Sequence, residues 1–243
     1  MNKLKILSSN SLKIIAMIIM VIDHIGAILF PDITILRIIG RLSFPIFAFM
    51  IAEGCKYTRN KLRYFLTVSI FALVYELVNI FIFDTEMNIF LTFSLSIIMI
   101  YSLSWVKKTL TATEKSFIKQ ILSISLFFIS VISIYVLTLF YTIDYGFWGC
   151  LIPVLVSLFH QDKDANNFFK KFDNHIVSTI MLAIGLIILA HSPDFLYQWY
   201  ALISVIPILL YSEKRGKLKL KYLFYIFYPA HIFLLYGLQY LFF

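Results

Sequence analysis

The sequence predicts an all-α membrane protein, a polytopic bundle of about nine transmembrane helices with its N-terminus in the cytoplasm. Three observations predict it. Hydrophobic residues make up 61% of the 243-residue chain and charged residues only 14%, against about 25% charged in an ordinary soluble domain. A water-soluble fold of this length lacks the interior to hide so much apolar surface, and lipid removes that constraint. The apolar residues also gather into runs long enough to cross a bilayer, which takes roughly 20 residues of helix. Finally, the basic residues fall almost entirely in alternate loops, as the positive-inside rule requires.

The first run, 12–30, follows Lys3 and Lys5 but is too long for a secretory signal. It carries Asp23 and His24 in its middle and no small-residue cleavage site, so it is expected to be a retained helix. The second, 35–54, ends where Lys56, Arg59, Lys61 and Arg63 begin. The third, 63–83, stops at Asp84. The fourth, 88–106, stops at Lys107 and Lys108, and the fifth is 117–140. The sixth and seventh, 145–160 and 176–190, are short for a crossing and are expected to be tilted, re-entrant or sheltered by protein. The eighth and ninth are 194–211 and 222–241. No repeat, low-complexity tract or linker divides the chain, which reads as one domain, 1–243.

With the N-terminus inside, nineteen of the 21 lysines and arginines lie on the cytoplasmic side, while Asp32, Asp84, Glu86, Asp144 and Asp194 mark the outer loops. The net charge of +8 therefore encodes topology, and no nucleic-acid partner is expected. Cys55 and Cys150 fall at opposite ends of their helices without partners at metal-ligand spacing. Neither a disulfide between them nor a metal site is expected.

Arg37 and Arg41 are the two cations on the wrong side, and they draw attention to the ionisable residues inside the spans. Each such residue costs about 2.5–3.5 kcal/mol on insertion scales and so faces a partner or a cavity. Helix rise places His24 roughly 18 Å above the inner end of its span, Arg41 roughly 9 Å below the outer end, Glu76 roughly 20 Å up and His231 roughly 15 Å up. Asp23, His24, Arg41, Glu76 and His231 thus share a layer. Arg37 and Arg41, four apart, share a helix face. Lys13 and His24, eleven apart, also share one, separated by roughly 16 Å along the axis. Asp23 points about 100° away from His24 and is expected to pair with Arg41. Plainer accounts stand beside these. The histidines would bond carbonyls on neighbouring helices, Arg37 would anchor at the outer interface, and Glu76 would serve an arginine. Lys13 would snorkel to the inner interface, and Trp148, Trp199 and the tyrosines would form an interfacial belt.

Several segments carry a family resemblance. Leu12-Lys-Ile-Ile-Ala-Met-Ile-Ile-Met-Val-Ile-Asp-His-Ile-Gly26 is followed by Arg37-Ile-Ile-Gly-Arg-Leu-Ser-Phe-Pro-Ile-Phe-Ala-Phe49, Glu53-Gly54 and Thr58-Arg59. Further on come Tyr145-Gly146, Gly149, Pro153 and Phe227-Tyr228-Pro229-Ala230-His231. Together these resemble the TraX family of bacterial membrane proteins, over essentially the whole chain and in order. The family is named for a conjugation protein that acetylates the N-terminus of pilin. It is similar in pattern to multi-pass acyltransferases that move acetyl groups from cytoplasmic acetyl-CoA to acceptors in the cell envelope. Those enzymes often show a basic residue, more commonly arginine, separated by ten residues from a first-helix histidine. Lys13 and His24 reproduce that interval.

The resemblance implies an acetyl-CoA-dependent acyltransferase, without a metal, in the bacterial cytoplasmic membrane. Its acceptor would be a peptide amine or a hydroxyl of an envelope polymer. His24 is the expected base, since burial favours the neutral imidazole that such work needs. Arg41, held by Asp23, would stabilise the oxyanion or an anionic acceptor. Glu76 and His231 complete the catalytic set, with Arg37, Tyr145 and Tyr228 binding substrate and His231 and Tyr228 closing the acceptor side. Lys13, Lys56, Arg59, Lys61 and Arg63 would form a collar for the donor phosphates. The competing classes are a proton-coupled permease using an Asp/His/Arg/Glu relay and a non-catalytic assembly factor.

Overall fold

The computed structural model describes residues 5–79, 88–114, 116–161, 168–192, 197–217 and 221–242. The chain divides into two compact units, one from Met1–Met50 with Leu182–Phe243 and the other Ile51–Met181. The described residues are overwhelmingly helical and contain no strand, so the all-α class holds.

In the first unit, α1 (Ser9–Ile28) begins where the Ser8 hydroxyl accepts from the Ser11 amide at 3.1 Å. This side-chain cap satisfies one of the amides a helix start leaves open. Leu12, Ala16, Met20, His24 and Ile28 are all buried. Their spacing of four makes one inward stripe, with a histidine as its fourth member. Against α1 packs α2 (Thr34–Gly40). Two glycines allow the approach: a Cβ on Gly26 would come within 2.6 Å of Leu36 Cβ, and one on Gly40 would overlap the Asp23 carboxylate. Small residues at a helix contact are how membrane helices come close when lipid leaves them little apolar driving force.

The expected span 35–54 falls within one apolar stretch, Thr34–Tyr57, built of α2 and α3 (Ser43–Tyr57) with a tight turn between them at Arg41–Leu42. Pro45, in the first turn of α3, lacks the amide that would bond the Arg41 carbonyl, so a continuous ladder is impossible here. The Arg41 amide ends the α2 ladder, shared between Arg37 O and Ile38 O, both at 3.3 Å. The boundary between the units falls within α3, and again within α8 (His175–Ala190).

Of the expected span 194–211, residues 194–196 lie outside the described residues. The rest is a 3-10 turn (Gln198–Ser204) running into the short α9 (Val205–Leu209). Tyr197 enters it with a left-handed φ of 64°, and Pro207 interrupts the amide ladder, so no long α-helix forms. The unit closes with α10 (Lys221–Phe242). Contacts between Lys13 and the Phe224 ring, His24 and His231, and Gln239 Nε2 and Ile28 O run in the same order along α1 and α10. The two helices are therefore parallel.

In the second unit, α4 (Lys61–Val78) and α5 (Ile89–Leu110) are capped by Asn60 and Asn88, whose side-chain oxygens accept from the Arg63 and Leu91 amides. The expected third span ran to 83, and 80–83 lie outside the described residues. α5 is largely buried and packs on α4, α6 (Phe117–Phe140) and α7 (Gly146–Val156). Its hydroxyls stay inside the protein. Ser96 Oγ bonds Thr92 O and Cys150 O, each at 2.8 Å, and Thr92 Oγ1 bonds Asp144 O at 2.7 Å. A hydroxyl facing hydrocarbon without such a partner would be costly. α6 is exposed along nearly its whole length. The expected span 145–160 contracts to the eleven residues of α7, after which the chain turns through Ser157–Phe159. Four stretches of the described chain are long and apolar enough to cross a membrane: Ser9–Ile28, Thr34–Tyr57, Ile89–Leu110 and Phe117–Phe140.

Candidate functional site

Three segments of the first unit bring the polar residues together. α1 carries Asp23 and His24, α2 with its terminal turn carries Arg37 and Arg41, and α10 carries Tyr228 and His231. His24 Nδ1 lies 2.7 Å from His231 Nε2, and both rings are buried. His231 Nδ1 in turn lies 2.8 Å from the Phe227 carbonyl of its own helix. A carbonyl only accepts, so His231 Nδ1 carries the proton. In a neutral pair, His231 Nε2 is then an acceptor, His24 Nδ1 is the donor, and the free lone pair sits on His24 Nε2. Tyr228 packs edge-on against both rings, at 6.1 and 5.7 Å between centroids, and Phe227 stacks on His231. The aromatic packing fixes both imidazoles in position.

Asp23, adjacent in sequence to His24, turns away from it towards the arginines. The nearer one is Arg37, whose Nη1 is 2.8 Å from Asp23 Oδ1 and also donates to the Asp23 carbonyl at 3.1 Å. Arg41 Nη2 stands 3.6 Å from the same carboxylate oxygen, while its Nε donates to Arg37 O at 3.2 Å. The expected Asp23–Arg41 partnership is thus a triplet in which Arg37 forms the closer ion pair. Two guanidiniums and one carboxylate leave one positive charge in excess. Gly40 makes the triplet possible, because any side chain there would occupy the space of the Asp23 carboxylate. Gly40→Ala should cost about 1–3 kcal/mol through overpacking. The open position Gly237 of α10 should tolerate alanine with no loss. Thermal unfolding of the two purified variants in detergent checks the contrast.

The remaining candidates, apart from Lys13, belong to the second unit. The Glu76 carboxylate accepts from the Tyr141 hydroxyl and from Asn88 Nδ2, the latter at 2.6 Å, so its partners are neutral donors rather than an arginine. Tyr145 adopts a left-handed φ of 61° and serves as the N-cap position of α7, with its Cβ against Gly149. Lys56 binds Asp173 at 2.6 Å. Burial raises the Asp173 carboxyl, but the hydrogen bond and charge of Lys56 outweigh that and hold it below the usual carboxylate range. Lys61 lies over the Tyr101 ring, and Arg59 and Arg63 are exposed. Lys13, the fifth member of the expected collar, stands in the first unit over the Phe224 ring.

Sequence reasoning missed a buried polar cluster around His160 in the second unit. His160 Nε2 lies 3.1 Å from Ser178 Oγ and 3.7 Å from Glu53 Oε1, all three residues buried, and Lys107 Nζ caps the carbonyls of Ser157, Leu158 and His160. Glu53 stood in a quoted motif, but nothing in the sequence pointed to a partner more than a hundred residues on. The role of Phe227 was equally silent, because a carbonyl acceptor has no side-chain signature.

The chain is 25% identical over 248 aligned residues, covering 94% of each sequence, to a protein of Dichelobacter nodosus described as probable fimbrial assembly protein FimC, serogroup H1. It is 58% identical over 38 residues, 16% of this chain and 15% of the other, to an uncharacterized protein of Rickettsia prowazekii (strain Madrid E). No solved structure matches it. The family described as TraX protein matches residues 8–239, nearly the whole chain. The chain therefore belongs to the TraX family, as its motifs indicated.

Proposed function

We propose that the chain is a membrane-embedded acetyltransferase of the bacterial cytoplasmic membrane, moving an acetyl group from cytoplasmic acetyl-CoA to an acceptor in the envelope. The observation that carries this reading is the His24–His231–Phe227 chain, which leaves a basic lone pair on a buried, oriented His24 Nε2. In the step proposed, His24 Nε2 takes the proton of the acceptor amine or hydroxyl as that atom attacks the thioester carbonyl. When the carbon–sulfur bond breaks, the departing thiolate takes the proton back. His231 passes no substrate proton; it holds His24 in the productive tautomer. The surplus positive charge of the Asp23–Arg37–Arg41 triplet supports a role in stabilising the oxyanion or holding an anionic acceptor.

A peptide amine is the favoured acceptor, on the strength of the similarity to a probable fimbrial assembly protein. A nine-crossing topology with a cytoplasmic N-terminus accompanies this reading. Parallel α1 and α10 support it, since the first and ninth spans of such a chain run in the same direction. The test is radiolabelled acetyl-CoA supplied outside proteoliposomes that enclose a pilin-like peptide or an envelope polysaccharide. Label covalently attached to the enclosed acceptor is the expected result. Label passing through unmodified would assign a transporter instead, and neither outcome would leave a non-catalytic assembly factor.

A further inference from the structure

Resting on the acyl-transfer reading, we propose that the first unit carries a phosphate site between Lys13 of α1 and the basic segment 214–217, with Arg215 as the residue that determines its specificity.

The segment is fastened to the start of α1 by main-chain bonds. The Leu7 amide donates to Leu210 O at 2.9 Å, Ser212 N to Leu7 O at 2.8 Å, Ser9 N to Lys214 O at 2.8 Å and Asn10 N to Arg215 O at 3.2 Å. Gly216 seals the turn. Its φ of 89° is open to glycine at low cost, and an added Cβ would stand 2.8 Å from Ser8 Oγ. The chain thus holds Lys214 and Arg215 against the first turn of α1, one helical turn from Lys13, with Lys217 following the Gly216 turn.

No carboxylate offsets this among the described contacts of Lys13. Glu213, the acid of the segment, is taken by Lys5 at 2.7 Å. The Phe224 ring 5.2 Å from Lys13 Nζ favours a cation but adds no negative charge. The helix start is not itself the anion binder, because the amides of Ser9, Asn10 and Ser11 are already bonded. What remains is a set of side-chain cations held together by backbone, an arrangement that an anion relieves. A guanidinium fork matches two phosphate oxygens at once, with Lys13 adding a point charge.

The site also has a register. Lys13 and His24 share a face of α1 and stand roughly 16 Å apart along its axis, a span that an extended phosphopantetheine arm covers. A nucleotide phosphate held at Lys13 and Arg215 would therefore place its thioester at the level of His24. An anionic phospholipid headgroup offers the same phosphate chemistry.

The experiment uses the full chain in phosphatidylcholine nanodiscs, titrated calorimetrically with free coenzyme A, and separately native mass spectrometry after exchange into phosphatidylglycerol. Arg215→Gln should weaken coenzyme A binding by about tenfold or more, the range for one charged hydrogen-bonding partner. Gly216→Ala should weaken it too while keeping every charge, an effect that a plain topology signal would not show. Thermal unfolding confirms that both variants are folded. Unchanged coenzyme A binding with loss of bound phosphatidylglycerol would uphold the phosphate site and assign it to a headgroup. If both variants bind both probes as the parent does, or if the parent binds neither, the proposal is overturned. Coenzyme A binding that depends on Arg215 without any acetyl transfer would instead sink the acyl-transfer reading and leave the site standing.

Discussion

His24→Ala is expected to lower acetyl transfer by about 10²–10⁴-fold, the usual contribution of a positioned general base, while the protein still accumulates in the membrane. The side chain is buried on the inward stripe of α1, yet its loss leaves no charge unpaired, so the fold should tolerate it. Its neighbour gives a sharper test. His231→Phe removes the acceptor for His24 Nδ1–H, frees the ring to adopt the other tautomer, and should cost on the order of 10–100-fold, as removal of an orienting partner does for functional histidines elsewhere. His231→Gln offers His24 a carbonyl oxygen again and should recover part of that loss. The pattern to measure is initial rate with saturating donor and acceptor for all three variants. Full activity in His24→Ala would remove it as the base, and equal damage from His231→Phe and His231→Gln would reduce His231 to a packing residue.

The second large effect is on stability. Asp23→Ala leaves Arg37 and Arg41 adjacent and mostly buried with their carboxylate gone, since their side chains are 28% and 13% exposed. Removing one partner of a buried ion pair costs about 3–5 kcal/mol. Asp23→Ala combined with Arg37→Met should recover much of this, because the surviving charge is then Arg41 alone, its Nε still hydrogen-bonded to the main-chain carbonyl of residue 37. Denaturant titration of the reconstituted protein measures both. A loss below about 1 kcal/mol in the single variant, the level of a solvated surface pair, would mean that water reaches the triplet.

The candidate site was legible in its membership and illegible in its pairings. Depth along a helix follows from residue counting, because the rise per residue is constant, and this brought Asp23, His24, Arg41 and His231 into one layer. Which of them touch depends on helix rotation and on which helices are neighbours. Counting therefore paired Asp23 with Arg41, where the structure brings Arg37 closer. It also grouped Glu76 with the arginines, although its carboxylate is served by Tyr141 and Asn88.

A similar division runs through the fold. Composition, run length and the alternation of lysines and arginines determined that this is an all-α membrane protein, since burial of apolar groups and exclusion of charge from lipid act residue by residue. The fifth span was read to the residue, 117–140, because α6 packs little and its ends depend only on its own sequence. The structure showed where helices break within the apolar runs: at Arg41–Leu42, after Val156, and through Gln198–Leu209. Hydropathy is blind to an amide ladder interrupted by proline or by a left-handed residue. Tertiary structure also decided that two histidines, 207 residues apart, share one hydrogen bond. Sequence supplied the nine-span frame as an expectation and the ionisable groups within it; the packing of α1 against α10 decided which of them touch.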